Sequence, residues 1–494
     1  MITTETTGVT TSTSGPRLVQ LKDICERITK GSTPTSYGFK YTREGIRFIK
    51  AENIDKNGLA STTTDYIDEA TNKFLTRSIL REQDILFSIA GTIGRVGIIR
   101  RADLPANTNQ ALAIVRLQPG IIEQRYLFYY LKSDAIQKDA LKRIVGVGRA
   151  NLSLTNIGEF TIPLISLDKQ KQIVAEIEKQ FSRLDESVAN LKRVKANLKR
   201  YKASVLKAAV EGKLTEDWRK QHPNVEPASK LLECILAERR AKWNGRWKYK
   251  EPATPNIGDP TAFPAAPEGW AFASMEQLLP PIREAMKTGP FGSLLKKHEH
   301  KAEGVAVLGI ENIEAMRFVR GSKIHITQKK AEDLVDYKVM PDDVLISRSG
   351  TVGEVCVVPA DIGDARISTN LMKISLARDG MLPKFFVLLF NGSPFVLNQV
   401  SDLCKGSTRN FLNQEILKQL CFVLPSLPEQ REIIGEVERR LSVIEELEAT
   451  LEANLTRANR LRQSILSQAF AGKLGCVNTN RKGRQGTDIK MARA

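Results

Sequence analysis

Two short runs in this 494-residue chain carry side chains that could do chemistry. Pro341-Asp342-Asp343 could open the carboxylate cluster of a nuclease, but no Glu-x-Lys follows the next apolar run. His298 and His300 flank Glu299, yet a metal site needs more ligands at a workable spacing. A solvated loop accounts for the trio as it stands. No Gly-rich loop ends in Lys-Ser or Lys-Thr, so no P-loop ATPase is signalled. No Asn-Pro-Pro-aromatic or Asp-Pro-Pro-aromatic tetrad occurs, which argues against transfer of a methyl group to an amine. With four histidines, no Ser/His/Asp order is repeated. The six cysteines, Cys25, Cys234, Cys356, Cys404, Cys421 and Cys476, are scattered without a CxxC pair. That is the usage of a reduced, cytoplasmic protein, without a disulfide framework or zinc site. The residues point to a protein that binds rather than catalyses.

Charge narrows what it binds, although a basic surface that only aids solubility, or a ribosome-associated protein, also fits it. The formal net charge is +18, and a strongly basic chain with no long apolar run most often meets nucleic acid. Hydrophobic residues make up 41% of the chain, enough for buried cores in two or three domains. Met1 to Gly15 is rich in Thr and Ser and lacks the basic-then-apolar pattern of a signal peptide.

The elements that must position any binding residues are written twice. Ile85 to Ile99 (ILFSIAGTIGRVGII) returns 259 residues later as Val344 to Val358 (VLISRSGTVGEVCVV). Glu52-Asn53-Ile54 returns as Glu311-Asn312-Ile313, and Gly212-Lys213-Leu214 as Gly472-Lys473-Leu474. So long a period is a domain plus a helix, not a solenoid repeat. Short strand-type runs mark the first copy: Ile46–Ile49, Asp84–Ile89, Arg95–Ile99 and Ala111–Leu117, then a helix near Gln124–Asp134. The second copy repeats the order with Val305–Ile310, Val344–Ser347, Glu354–Val358, Leu371–Leu376 and a helix near Lys384–Leu389. Each copy is expected to be α/β.

Each copy then ends in a long helix. Ile177, Phe181, Leu184, Val188, Leu191, Val194, Leu198, Tyr201 and Val205 recur mostly at three and four. Val437, Leu441, Ile444, Leu447, Leu451, Leu455, Ala458, Leu461 and Ile465 do likewise. The spacing predicts a coiled-coil seam. Charge predicts its direction. Residues 168–190 carry four basic and five acidic side chains, and 191–211 seven basic and one acidic. Residues 428–450 carry three basic and seven acidic, and 451–471 three basic and one acidic. Only antiparallel pairing sets opposite charge together at both ends, though each exposed pair contributes only ~0.2–1 kcal/mol. A pseudo-twofold axis across the pair, with the two domains at opposite ends, is the expected arrangement. Between the copies, prolines 252, 255, 260, 264 and 267 mark a linker. Before them a short amphipathic helix is expected from Pro227 to Ala241.

These features together resemble the specificity subunits of type I DNA restriction–modification systems. The residues that carry the resemblance are Lys30-Gly31-Ser32-Thr33-Pro34 and the turns Gly91-Thr92-Ile93-Gly94 and Gly350-Thr351-Val352-Gly353. Thr108-Asn109-Gln110 is matched with Thr369-Asn370-Leu371, and Gly146-x-x-Arg149-x-x-Leu152 with Gly406-x-x-Arg409-x-x-Leu412. Pro163 to Gln170 and Leu424 to Gln430 lead into the long helices, and Glu211 to Arg219 resembles the central region of that family.

The resemblance implies an α/β (α+β) fold with two similar target recognition domains joined by an antiparallel two-helix coiled coil. Residues 1–16 would be a disordered start and 17–165 the first target recognition domain. The first long helix would occupy 166–214 and a linker with a short helix 215–268. The second domain would span 269–425, the second long helix 426–474, and a basic disordered tail 475–494. Each domain would read half of a split, asymmetric site in double-stranded DNA. The helices would set the spacing and dock two methyltransferase (modification) subunits, joined by restriction/translocase subunits. S-adenosylmethionine, ATP and Mg²⁺ would belong to those partners, with no cofactor, metal or catalytic residue in this cytoplasmic chain. The alternative is a DNA-binding scaffold or regulator without methyltransferase partners.

A spacer of ~65 Å, at about 1.5 Å per residue, could hold two readers one DNA turn, ~34–36 Å, apart. Candidate DNA contacts in the first half are Lys30, Ser32, Thr33, Arg95, Asn109 and Arg149. In the second half they are Lys287, Ser293, Arg348, Lys405 and Arg409. A purely structural turn also fits Gly91 to Gly94, and a fold-holding hydrogen bond also fits Asn109 and Asn370. Ile89-Ala90 becomes Arg348-Ser349 in the second copy, so the two halves are expected to read different bases.

Overall fold

The computed structural model describes residues 16–55, 58–60, 65–144, 151–243, 248–255, 265–282, 285–291, 294–314, 316–348, 352–377, 379–404 and 412–474. Apart from Pro16, the stretches read as a disordered start and tail lie outside them. The chain divides into two compact units, residues 1–192 with 452–494, and residues 193–451. The boundary falls inside both long helices, Leu167–Val210 and Leu427–Phe470.

In the first unit the run Ile85–Ser88 is buried along its whole length and lies inside a four-stranded antiparallel sheet. Its neighbours are Leu112–Leu117 and Val96–Ile98, and Cys25–Lys30 pairs with the far side of Leu112–Leu117. A continuous apolar run, rather than an alternating one, is what a strand covered on both faces requires. Ile46–Ile49 pairs in parallel with Ala106–Thr108 and antiparallel with Tyr66–Ile67 in a second sheet. Arg17–Gln20 pairs with Thr161–Leu164, the strand that leads into the long helix. Leu127, Leu131, Ile136, Ile157 and Phe160 close the core over the four-stranded sheet.

The second unit repeats this frame strand for strand. Val344–Ser347 lies between Leu371–Ile374 and Val355–Val357, with Met286–Thr288 at the edge. Val305–Leu308 pairs in parallel with Ala365–Ile367, and Ala271–Ser274 pairs with Cys421–Leu424 ahead of the second long helix. Register corrects one motif match. Leu371 opposes Ser347 as Leu112 opposes Ser88, so Asn370 takes the place of Ala111 rather than of Asn109. The shared Thr-Asn letters misled because the strand pairing, not the letters, sets equivalence. The helix Ala228–Ala241 packs Ala228 and, in part, Leu232 against this core. Two short helical turns, Lys213–Thr215 and Glu216–Gln221, precede it.

Both long helices run 44 residues, ~66 Å at about 1.5 Å per residue. Each is closed by a glycine in the left-handed region, Gly212 at φ +69° and Gly472 at φ +70°. The pairing is antiparallel within each unit. In the first, Ile177 clusters with Leu466 and Ala469, and Leu184 with Ala458 and Ile465. Arg462 also reaches Asp185 and lies over the Phe181 ring. In the second, Leu198 and Tyr201 line one groove with Val443, Ile444 and Leu447. The seam is narrower than the spacing suggested. Val194, Tyr201, Leu447 and Leu461 stand 45–49% exposed. A straight helix drifts ~20° per heptad against a 3.5-residue repeat, so one apolar stripe leaves the contact face.

Candidate nucleic-acid interface

Four segments of the first unit meet at one end of its main sheet. Gly31 lies so close to the next segment that a Cβ there would sit 1.8 Å from the Thr108 carbonyl oxygen. Only glycine permits that approach, and it brings Lys30, Ser32 and Thr33 beside Asn109 and Gln110. The Thr33 hydroxyl donates to the Gln110 side chain. The Ala111 carbonyl accepts from the Ile89 N–H at 2.8 Å, and the Ile89 carbonyl accepts from Leu152 at 2.9 Å. The turn Gly91 to Gly94 is closed by Ser88, whose hydroxyl donates to the Thr92 carbonyl at 2.6 Å and accepts from the Arg95 N–H at 2.7 Å.

The candidate side chains divide by what they touch. Lys30, Ser32, Thr33 and Asn109 are half-buried at this edge. Asn109 also accepts the Ala111 N–H at 3.1 Å, the fold-holding bond that sequence left open. Arg95 turns inward and donates to the Ala51 and Ile54 carbonyls at 3.1 and 2.9 Å, tying down the hairpin Ile54–Asp55/Gly58–Leu59. Arg149 lies outside the described residues.

The second unit assembles the same edge from other side chains. Gly289 fills the role of Gly31, with a Cβ there 1.9 Å from the Ser368 carbonyl oxygen. Arg348, where the first unit has Ile89, is only 3% exposed. Its guanidinium donates to the Thr369 and Leu412 carbonyls at 3.1 and 3.3 Å and lies 5.3 Å from the Phe291 ring centre. Burial pulls its pKa below the usual guanidinium range. Lys287 pairs with Asp336 at 3.0 Å and lies over Tyr337. Ser293, Lys405 and Arg409 lie outside the described residues. Gln414, which sequence reasoning passed over, donates to Thr288 at 3.0 Å at this edge. Arg77 likewise reaches the Lys30 carbonyl at 3.4 Å. Neither carried a sequence signal, because each arrives from a short helix whose docking is tertiary.

The arrangement offers hydrogen-bond donors and acceptors on a rigid edge, which is what reading base edges and phosphates takes. Among the described residues no group of three or more His, Cys, Asp or Glu side chains could hold a metal ion. Glu299 instead pairs with Lys330 at 2.8 Å. Asp343 is buried under bonds from the Met340 N–H and the Ser375 hydroxyl, so Asp342-Asp343 forms a turn rather than a carboxylate cluster. No helix among the described residues is long and apolar enough to cross a membrane.

Comparison with known proteins gives consistent answers. The model of the type I restriction modification DNA specificity domain matches residues 16–200 and again 292–457. The EcoBI specificity subunit of Escherichia coli is 30% identical over 228 residues, covering 44% of this chain and 48% of that protein. The chain thus spans about half the length of that relative. The EcoKI specificity subunit of Escherichia coli K12 is 23% identical over 438 residues, covering 87% of this chain and 82% of that protein. A solved structure from work on complex assembly and conformational transition of the type I R-M system shares the fold. It has a TM-score of 0.60 at 19% identity and covers 93% of this chain and 98% of that one.

Proposed function

This chain belongs to the type I restriction–modification DNA specificity family, and we propose that it reads DNA sequence for a complex whose chemistry resides in other chains. The carrying observation is the duplicated edge. The same backbone bonds hold it in both units, while Ile89 is replaced by Arg348 and Asn109 and Gln110 by Ser368 and Thr369. One scaffold with two sets of side chains supports two different half-sites, hence a bipartite, non-palindromic target in double-stranded DNA. Phosphate contacts from a chain of charge +18 would supply most of the affinity and make it salt-dependent. The paired helices would dock two modification subunits, with restriction subunits joining them. S-adenosylmethionine, ATP and Mg²⁺ would be held by those partners. The site of action would be the cytoplasm.

The test is methylome sequencing of the host with and without this gene. The reading expects adenine methylation at one split motif to vanish on deletion. An unchanged methylome overturns it. A DNA-binding scaffold without such partners would instead purify free of methyltransferase subunits.

A further inference from the structure

The two units build the same cleft from different side chains. In each, a short helix packs beside the start of a long one: Gln124–Leu131 on the first, Pro383–Gly392 on the second. Equivalent ion pairs fix the register, Arg125 with Glu178 and Lys384 with Glu438, each at 2.6 Å. Phe128, Tyr129 and Phe181 therefore correspond to Val387, Leu388 and Leu441.

In the first unit the three rings fill the space. Phe128 and Tyr129 have centroids 5.1 Å apart, and Tyr129 and Phe181 5.7 Å. The Phe128 ring reaches within 3.8 Å of where a Cβ of Gly58 would stand, so the hairpin closes directly onto it. In the second unit the three ring positions hold aliphatic side chains instead, and Gly58 is replaced by Arg317. What remains is an open cleft of about 670 Å³, with Val387, Leu388, Val437 and Leu441 on one side and Met316 and Phe318 on the other. Ion pairs border it: Arg317 with Glu445, Lys384 with Glu438, and Arg320 with Asp361.

We propose that this cleft receives an aromatic side chain from a partner protein that docks on the second long helix. The first unit shows that the frame accommodates rings, because there it is packed with its own. An apolar centre inside a charged rim, to which Lys202 and Asp342 also belong, is the anatomy of an interface anchor. The cleft walls include the long helix, the element read as the docking face. The proposal rests on the reading of the helices as a docking element. Its consequence is asymmetric: a partner copy on the first unit meets a filled site, and one on the second unit supplies the missing ring.

The experiment uses the full chain with methyl-labelled Leu and Val. It is titrated with N-acetyl-tyrosine amide, N-acetyl-phenylalanine amide and N-acetyl-leucine amide. The aromatic amides should shift the Val387, Leu388 and Leu441 methyls saturably, and the leucine amide should bind more weakly. The V387F/L441F chain, rebuilt toward the first unit, should lose this binding. It should also lose roughly tenfold in affinity for the modification subunit, the size of an anchor residue's effect, with its DNA affinity unchanged. If that chain misfolds, Leu441→Lys, which puts a charge at a partly exposed wall of the cleft, serves the same purpose. Absent shifts, equal binding of the leucine amide, or aromatic binding that survives both variants overturns the proposal. A failed methylome test with intact ring binding would instead strike the DNA-reading function.

Discussion

Gln430 fastens the second long helix to its domain through Leu382. Its side-chain oxygen accepts the Leu382 N–H at 2.8 Å, while its amide donates to the Gly380 and Pro425 carbonyls, both at 3.0 Å. Gln170 does the same in the first unit, accepting from Glu123 at 2.7 Å and donating to Ile165 at 2.7 Å. Both glutamines are fully buried. Removing either strands buried backbone groups, at a cost of roughly 2–4 kcal/mol. Gln430→Ala should speed amide exchange in residues 193–451 only, and Gln170→Ala in the other unit only. Spread of either effect to both units would show that the anchor is not local.

Arg219 and Glu429 form a buried ion pair that the first unit lacks, since Lys169 stands where Glu429 would. Glu429 is 3% exposed and also accepts from Trp270 at 2.8 Å and Thr215 at 2.7 Å. Arg219→Ala leaves that carboxylate buried without its cation, and about 3–5 kcal/mol of stability should be lost. Replacing both partners by Met should cost less than Arg219→Ala alone. Denaturant midpoints of the three variants check the order.

The two candidate contact classes predict different phenotypes. Arg348 satisfies two carbonyls of its own unit. Arg348→Ala should therefore destabilise the second unit before it changes DNA affinity. Lys30→Ala should leave stability near wild type and reduce the slope of log affinity against log salt by about one. Filter binding across a salt series, beside thermal melts, separates them.

Lys132 supplies a pH test. Burial, and then the neighbouring Arg462, lowers its pKa from 10.5 to about 8, although its ammonium lies over the Phe128 ring at 4.7 Å. The folded chain thus holds this proton less tightly than the unfolded one. Below pH ~8 the buried charge costs stability, and from there to ~10.5 stability rises with pH. Lys132→Met should stabilise the chain at pH 7, and the gain should shrink by pH 10. Equal gains at both pH values would refute the assignment.

Lys192, Arg193 and Lys195 sit exposed on the first long helix. Reversing all three charges should weaken assembly with modification subunits and leave the methylated motif the same. An altered motif with normal assembly would move these residues from docking to reading.

Period and burial made the scaffold legible in sequence. Ile85–Ser88 and Val344–Ser347 are continuous apolar runs, and they proved to be the covered strands. Each long helix ends two residues before a left-handed glycine, Gly212 or Gly472, because that residue acts locally. Strand Cys25–Lys30 went unread because the exposed charges Glu26 and Arg27 interrupt its apolar pattern. The inward turn of Arg95 and the burial of Arg348 were invisible for another reason. A guanidinium looks the same in sequence whether it will meet a phosphate or two carbonyls of its own fold.

The two units are not equal in how the ribosome delivers them. The second is one continuous stretch, 193–451, and everything it needs has emerged once Leu451 is made. The first must wait, with its own helix exposed, until 452–470 arrive to cover Ile177 and Leu184. At roughly 5–20 residues per second that wait covers the synthesis of the whole second unit, about 13–50 seconds. The earlier-made half of this protein is thus the later one to finish.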